Sequence, residues 1–292
     1  MRKVIRVERD SFEFIGVYHS RKKMSHAESY VVLIFNAGHV PREGHAGLSV
    51  RIADRLAGAG YPTYRFDLPG FGDSPGQLPE KERDIFRLVH LGFQDEPALS
   101  LTKEIIKRHP GAKIVLCGLC GGSIIACNIA HQDAENIAGV VALEPEFYLE
   151  NVNIDPPRSW RKLFDRAATL RFLTGHSKAS ARVPGGIRAA FVNLFGKLLL
   201  PSQTDHRLLS TLKALNRKET PMIFIMAKGK PNAIFYDEIR QVLFGIKTPS
   251  NIRLIEIPGT NHIFTANRPH NSIIQAILDW TDDTFHASDD MS

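Results

Sequence analysis

The chain has 292 residues, 43% hydrophobic and 23% charged, a composition typical of a globular protein with an ample core. No run approaches the roughly 18 apolar residues of a membrane span, and Met1 to Asp10 lacks the apolar stretch of a secretion signal. We therefore expect neither a membrane span nor export. The three cysteines, at least one of them needed as a thiolate, predict a cytoplasmic protein.

The net charge of +6 is unevenly distributed. Between residues 151 and 218, 13 Lys and Arg face three Asp, a balance of +10, whereas the rest of the chain carries −4. A basic segment on a near-neutral body favours an acidic partner, although an ordinary solvated helical surface explains the same residues. No nucleic-acid-binding motif accompanies the charge, so nucleic acid is not expected as a partner.

Predicted strands and helices alternate along the chain, which is typical of a mainly parallel sheet with helices on both faces. An opening antiparallel pair is predicted at Val4–Glu8 and Phe12–His19. The later predicted strands are Tyr30–Phe35, Thr63–Phe66, Lys113–Leu116, Ile137–Leu143, Met222–Met226 and Ile252–Ile257. The predicted helices between and after them are Leu48–Ala59, Glu96–Arg108, Ser123–Gln132, Phe235–Leu243 and Ser272–Trp280.

The alternation is interrupted between the predicted strands that end near residue 143 and begin near residue 222. The intervening segment contains predicted helices at Ser159–Leu170 and Ile187–Leu200, separated by Gly- and Pro-containing breaks. We therefore expect an α/β core formed by residues 1–149 and 219–292, with residues 150–218 inserted as a helical lid.

An apolar run ends in Gly118-x-Cys120-x-Gly122 and continues as a predicted helix. A sharp strand-to-helix turn of this form holds a nucleophile, and its glycines are needed because the turn leaves no room for side chains. The cysteine predicts a thiolate nucleophile. Two alternatives remain open: Cys117 and Cys120 form a C-x-x-C redox pair or half of a metal site, or the cysteines are simply buried. Cys127 is most simply a small core residue.

Three further loops accompany this turn. Asn36-Ala-Gly-His39 follows the first predicted parallel strand, Asp67-Leu-Pro-Gly-Phe-Gly-Asp-Ser74 follows the second, and Pro258-Gly-Thr-Asn-His262 follows the last. With the element order, these loops resemble the α/β-hydrolase fold over nearly the whole chain. The N-A-G loop, the R-F-D-x-x-G-x-G-D-S loop and the G-L-C turn are similar to those of bacterial hydrolases associated with the exosortase system. Polyhydroxyalkanoate synthases and dienelactone hydrolases also place a cysteine at this turn.

The resemblance implies that His262 is the catalytic base and that the backbone N–H groups of His39 and Gly121 form an oxyanion hole. A neighbouring imidazole lowers the pKa of a thiol by stabilising the thiolate, and the helix N-terminus after Cys120 acts in the same direction. The side chain of His39 is also a candidate for substrate contact.

The third member of the site is missing from its usual place. The family carries an acid shortly after the strand that here ends near Met226, but Lys230 and Asn232 stand in that region. Glu144, in Leu-Glu-Pro-Glu146, lies at the end of a neighbouring predicted strand. Glu144 is our first choice, Asn232 in a Cys-His-Asn arrangement is the second, and a site with no third member is the third.

These features favour acyl transfer or hydrolysis through a covalent thioacyl-enzyme on Cys120. Thiolates exchange acyl groups readily with thioesters, and a basic lid above Cys120 suits coenzyme A or an acidic acyl carrier protein. The enzymatic alternative is hydrolysis of a small ester or lactone. A non-catalytic binding protein of the same fold is the other alternative, for which the missing acid is the argument. No cofactor and no metal are expected.

Overall fold

The computed structural model describes residues 1–21, 29–149, 200, 204–245, 248–265 and 267–285. Eight strands within these ranges form one sheet. They are β1 (Arg2–Arg9), β2 (Phe12–His19), β3 (Tyr30–Phe35), β4 (Thr63–Phe66), β5 (Lys113–Leu119), β6 (Ile137–Leu143), β7 (Met222–Ala227) and β8 (Ile252–Ile257). The predicted strands are thus confirmed, with ends that differ by a few residues.

Seven α-helices accompany the sheet in the described ranges. They are α1 (Leu48–Ala59), α2 (Glu82–His90), α3 (Asp95–Arg108), α4 (Gly121–Gln132), α5 (His206–Arg217), α6 (Pro231–Phe244) and α7 (Asn267–Phe285), with a short 3-10 turn at His45–Gly47. Helix α2 was not predicted, and α6 begins four residues before its predicted start. None of the helices in these ranges is long and apolar enough to cross a membrane.

The sheet order is β1-β2-β4-β3-β5-β6-β7-β8. Strands β3 to β8 run parallel to one another, and β2 pairs antiparallel with both β1 and β4. Parallel strands bring their carboxyl ends to the same edge, so the loops after β3, β5, β6, β7 and β8 meet there. Every candidate site residue follows shortly after one of these strands, and Gly121 and Asn232 lie in the first turns of α4 and α6.

Both faces of the central strands are buried, which explains their nearly continuous apolar sequences. Alternate residues of β5 divide between two cores. Leu116 packs with residues of α3, α4, α5 and α6 on one face, whereas Val115 and Cys117 pack with α1 and α7 on the other. Burial raises the pKa of Cys117 and of Cys127 to about 12, and all three cysteines are free. These two thiols therefore behave as core side chains.

Most of the segment predicted as a lid lies outside the described residues. That includes the predicted helix Ser159–Leu170 and, apart from Leu200, the predicted helix Ile187–Leu200. Helix α5 covers the end of the segment, and its Leu212 and Leu215 are fully buried in the core that α4 also lines. The lid and its boundaries stay a prediction.

Candidate active site

Cys120 occupies the turn between β5 and α4 with φ 54° and ψ −120°. A positive φ is uncommon for a residue with a side chain and persists where surrounding contacts enforce it. The Cys120 N–H donates to the Leu143 carbonyl at 2.8 Å. The Cys120 carbonyl in turn accepts from the Ser123 N–H at 3.0 Å and from the Ser123 hydroxyl at 2.5 Å. The turn is therefore held on both sides, and its side chain is presented at the carboxyl edge of the sheet.

The flanking glycines are required by close approaches of the backbone. A Cβ on Gly118 would lie 2.2 Å from the Gly122 carbonyl, and a Cβ on Gly122 would lie 2.3 Å from the Asn36 carbonyl oxygen. Both obstacles are backbone atoms, which cannot rotate away. The spacing Gly-x-Cys-x-Gly is thus explained by the space available at the turn.

We expect Gly122→Ala to lower the free energy of unfolding by about 1–3 kcal/mol, because the new methyl group overpacks against the loop after β3. Gly58→Ala is a matched control: Gly58 lies in α1, is exposed, and a Cβ there meets no atom within 4 Å. That change should stabilise the protein by up to about 1 kcal/mol, since alanine restricts the unfolded chain. Urea unfolding of both variants measures the two effects, and equal stabilities would contradict the packing explanation.

His262 lies in the loop after β8 and reaches the carboxyl end of β6. Its Nδ1 is 3.1 Å from Glu144 Oε2. Glu144 is fully buried, has φ 46°, and accepts at Oε1 from the Ala227 N–H. Asn232 donates through Nδ2 to the same Glu144 Oε2 at 3.1 Å. The structure therefore brings both sequence candidates to His262: the Glu144 carboxylate lies beside Nδ1, and Asn232 Nδ2 lies 3.1 Å from that carboxylate and 3.1 Å from Nδ1 itself.

The other side of the His262 ring faces Cys120. The Cys120 sulfur lies within 4.8 Å of a His262 ring nitrogen. Burial raises the pKa of the Cys120 thiol, and the neighbouring His262 imidazole and Gly121 N–H oppose that shift. Burial alone would lower the pKa of His262, but the neighbouring Cys120 and Glu144 outweigh it and raise that pKa. The pair is arranged to pass a proton between sulfur and imidazole.

The predicted oxyanion loop lies against the turn. Gly38 Cα and N lie 3.5 Å from where a Cβ on Gly121 would stand. Asn36 fixes the loop, since its Nδ2 donates to the Val40 carbonyl at 3.1 Å and its Oδ1 accepts from the Leu68 N–H at 2.7 Å. His39 therefore follows a residue that touches the turn, and its ring packs edge-on against Phe86, with 5.8 Å between ring centroids.

The loop after β4 has a structural part in this arrangement. Asp67 is fully buried and accepts from Asn36 Nδ2 at 3.1 Å and from the Arg42 N–H at 2.6 Å. Its carboxylate also pairs with the Arg42 guanidinium, and a Cβ on Gly72 would meet that carboxylate at 2.2 Å. The loop after β4 thus holds the loop that carries His39 in place through the contacts of Asp67 with Asn36 and Arg42.

A second acid, Glu146, also lies in the site, and no role was predicted for it from the sequence. Its Oε1 lies 3.2 Å from His262 Nε2, and its Oε2 lies 3.7 Å from His90 Nε2. His90 is buried, and its Nδ1 is 2.6 Å from Asp205 Oδ2. Burial opposes the charged forms, but the contacts of His90 with Asp205 and Glu146, and of Glu146 with His262, outweigh it, raising the pKa of His90 to about 9 and lowering that of Glu146 to about 2.

The signal for Glu146 was its place two residues after Glu144 at the end of β6. Nothing in the sequence pointed to His90, which lies at the end of the unpredicted helix α2. Its partner Asp205 is 115 residues away. Asp205 also accepts from the N–H groups of Arg207 and Leu208, so it caps α5 while it holds His90.

The sheet order, the turn at Cys120 and the loops around it define the α/β-hydrolase fold. Residues 42–192, just over half of the chain, match the family described as serine aminopeptidase, S33, and the chain belongs to that family. The matched segment includes Cys120 and ends before His262.

Solved structures show the same architecture. The dienelactone hydrolase from Anabaena variabilis is 14% identical, with a TM-score of 0.58 over 97% of this chain and 98% of its own. A thioesterase domain from the curacin biosynthetic pathway is 13% identical, with a TM-score of 0.56 over 95% and 99%. Est1E from Butyrivibrio proteoclasticus, solved with ferulic acid, is 14% identical, with a TM-score of 0.59 over 94% and 98%. At these identities the likeness concerns the fold. No curated protein matches the sequence.

Proposed function

We propose that the protein transfers or hydrolyses acyl groups through a thioacyl-enzyme on Cys120. The observation that carries this proposal is the arrangement of Cys120, His262 and Glu144. The Cys120 sulfur lies within 4.8 Å of a His262 ring nitrogen, and His262 Nδ1 lies 3.1 Å from the buried Glu144 carboxylate. A nucleophile, a base and a group that orients the base are the parts that covalent acyl transfer needs. Asn232 is the alternative third member.

The reaction would begin with transfer of the Cys120 thiol proton to His262 Nε2. The thiolate then attacks the acyl carbonyl, and the carbonyl oxygen becomes an anion that the N–H groups of Gly121 and His39 would stabilise. When this intermediate collapses, the bond to the leaving group breaks and the leaving group takes the proton from His262. An acceptor, such as water, an alcohol or an amine, then gives its proton to His262 and attacks the thioester carbonyl. When this second intermediate collapses, the carbon–sulfur bond to Cys120 breaks, the acyl product leaves, and the Cys120 sulfur takes the proton back from His262.

A thioester is the donor we favour. The attacking and leaving sulfurs are comparable leaving groups, so acyl exchange between them is nearly balanced. The +10 segment at residues 151–218 would attract the phosphates of coenzyme A or an acidic acyl carrier protein. The likeness to the thioesterase domain from the curacin pathway fits this substrate class.

Hydrolysis of a small ester or lactone is the second candidate, and the likeness to a dienelactone hydrolase supports it. The motif similarity to hydrolases associated with the exosortase system fits either substrate class. The non-catalytic alternative depended on the missing acid after β7. Because Glu144 lies against His262, we favour an enzyme, and we propose that it acts in the cytoplasm.

The substrate class can be tested by comparing one acyl group on three donors: a carrier protein, a small neutral thioester and the matching oxygen ester. We expect the thioesters to have the higher kcat/KM. Reversing the charges of Arg158, Arg161, Lys162 and Arg166 should raise KM for the carrier-bound donor and flatten its salt dependence, because exposed charges act over about 10 Å at 0.1 M salt.

The small neutral thioester is the internal control for that experiment, since it carries no charge for the segment to attract. Equal losses on both thioesters would indicate a damaged fold. Unchanged kinetics on both thioesters would show that the basic segment is an ordinary solvated surface with no part in donor binding. A higher kcat/KM for the oxygen ester would favour the second candidate.

A further inference from the structure

Glu146 completes a group of three side chains with different donor atoms. The Cys120 sulfur, a His262 ring nitrogen and a Glu146 carboxylate oxygen all lie within 4.8 Å of one another. Bonds of about 2.0–2.3 Å in tetrahedral zinc sites place neighbouring ligand atoms about 3.3–3.6 Å apart. The 3.2 Å between His262 Nε2 and Glu146 Oε1 matches that spacing. The sulfur, which lies within 4.8 Å of both atoms, would move closer to them to complete the arrangement.

The residues behind these three atoms have the arrangement that holds metal ligands in place. A metal-binding histidine typically donates its other ring N–H to a carboxylate, and His262 Nδ1 faces Glu144 at 3.1 Å. The second oxygen of Glu146 faces His90, which is held in turn by Asp205 at 2.6 Å. Both potential side-chain ligands from the loops are therefore oriented by buried partners.

The site also has the exposure that an entering ion requires. Cys120 is 5% exposed, whereas the side chains of His262 and Glu146 are 33% and 21% exposed. Thiolate, imidazole and carboxylate together favour zinc over magnesium or calcium, which take oxygen ligands.

We propose that Cys120, His262 and Glu146 bind a Zn²⁺ ion, with water as the fourth ligand, and that the ion inhibits the enzyme reversibly. Binding forms one bond each from zinc to sulfur, nitrogen and oxygen. The thiol proton and any proton on His262 Nε2 pass to solvent. Thiolate and carboxylate together balance the charge of the ion. Metal binding is independent of the proposed function, but inhibition rests on it, because zinc occupies the sulfur and the nitrogen needed for acyl transfer.

The test uses the full chain and Co²⁺ as a spectroscopic substitute for Zn²⁺. We expect a thiolate-to-cobalt charge-transfer band in the near ultraviolet, abolished by Cys120→Ala and displaced by Zn²⁺. Glu146→Gln should weaken Co²⁺ binding at least about 10-fold, because it removes a ligand charge. Glu144→Gln should weaken it about 10- to 100-fold by releasing the orientation of His262. Glu8→Gln, an exposed carboxylate on β1, is the matched control and should bind Co²⁺ as the wild type does.

A Co²⁺ spectrum without the thiolate band, or an affinity that Glu146→Gln leaves unchanged, would overturn the proposal. Zn²⁺ should also slow iodoacetamide labelling of Cys120, and a chelator should restore it. These readouts do not involve a substrate. If the protein shows the thiolate band but never forms an acyl adduct, the metal site is supported and the proposed function is wrong. If it forms an acyl adduct but shows no thiolate band, the proposed function is supported and the metal site is wrong.

Discussion

Cys120→Ala should abolish turnover of every acyl donor that the wild-type protein accepts. Removing a nucleophile that acts together with its base costs on the order of 10⁶ in kcat in a well-studied serine protease, and we expect a loss of at least about 10³-fold here. Cys120→Ser should also be poor, because a hydroxyl needs more help from its base than a thiol does. Steady-state kinetics on purified variants measures both effects.

Cys127→Ala is the control for that experiment. Cys127 lies in α4, the helix that begins directly after Cys120, but it is fully buried in the core. Its replacement should leave kcat/KM near the wild-type value. Iodoacetamide should likewise label Cys120 faster than Cys127, whose pKa is raised to about 12 by burial. Full activity in Cys120→Ala, with the wild-type melting temperature, would refute a covalent mechanism at this residue.

Glu144→Gln is the second substitution with a large expected effect. Glu144 Oε2 is the acceptor beside His262 Nδ1, so an amide in its place loses the charge that stabilises the imidazolium and can favour the wrong tautomer. The corresponding change costs about 10⁴-fold in a serine triad. We expect roughly 10- to 10³-fold in kcat/KM here, because a thiol depends less on its base.

Asn232→Ala is the comparison that separates the two candidates for the third member. Asn232 donates to Glu144 Oε2, so its loss should reduce activity less than the loss of the carboxylate. If Glu144→Gln retains full activity while Asn232→Ala loses it, the assignment moves to Asn232. If both variants are fully active, Cys120 and His262 work without a third member.

The sequence was sufficient for the features that depend on local spacing. The turn at Cys120 was predictable because the backbone leaves no room for a side chain at Gly118 or Gly122. The strands were predictable because parallel strands that are buried on both faces are apolar throughout. The place of Glu144 was predictable because β6 lies between β5 and β7. The carboxyl end of β6 therefore adjoins both Cys120 and the usual position of the acid.

The remaining parts of the site depend on contacts between distant segments. Pro231 starts α6 four residues before its predicted start, which places Asn232 in the first turn of a helix rather than in a loop. Glu146 gains its position from His262 on one side and from His90 on the other. These partners come from the loop after β8 and from α2, and no periodicity or spacing in the sequence connects them.

The central claim is that Cys120 carries the acyl group. Intact-protein mass spectrometry after incubation with a panel of acyl-CoAs, followed by peptide mapping, tests it most directly. We predict that the wild-type protein gains the mass of one acyl group, that the group lies on Cys120, and that Cys120→Ala gains none. An acyl group on another residue, or the same gain of mass in Cys120→Ala, would contradict the claim.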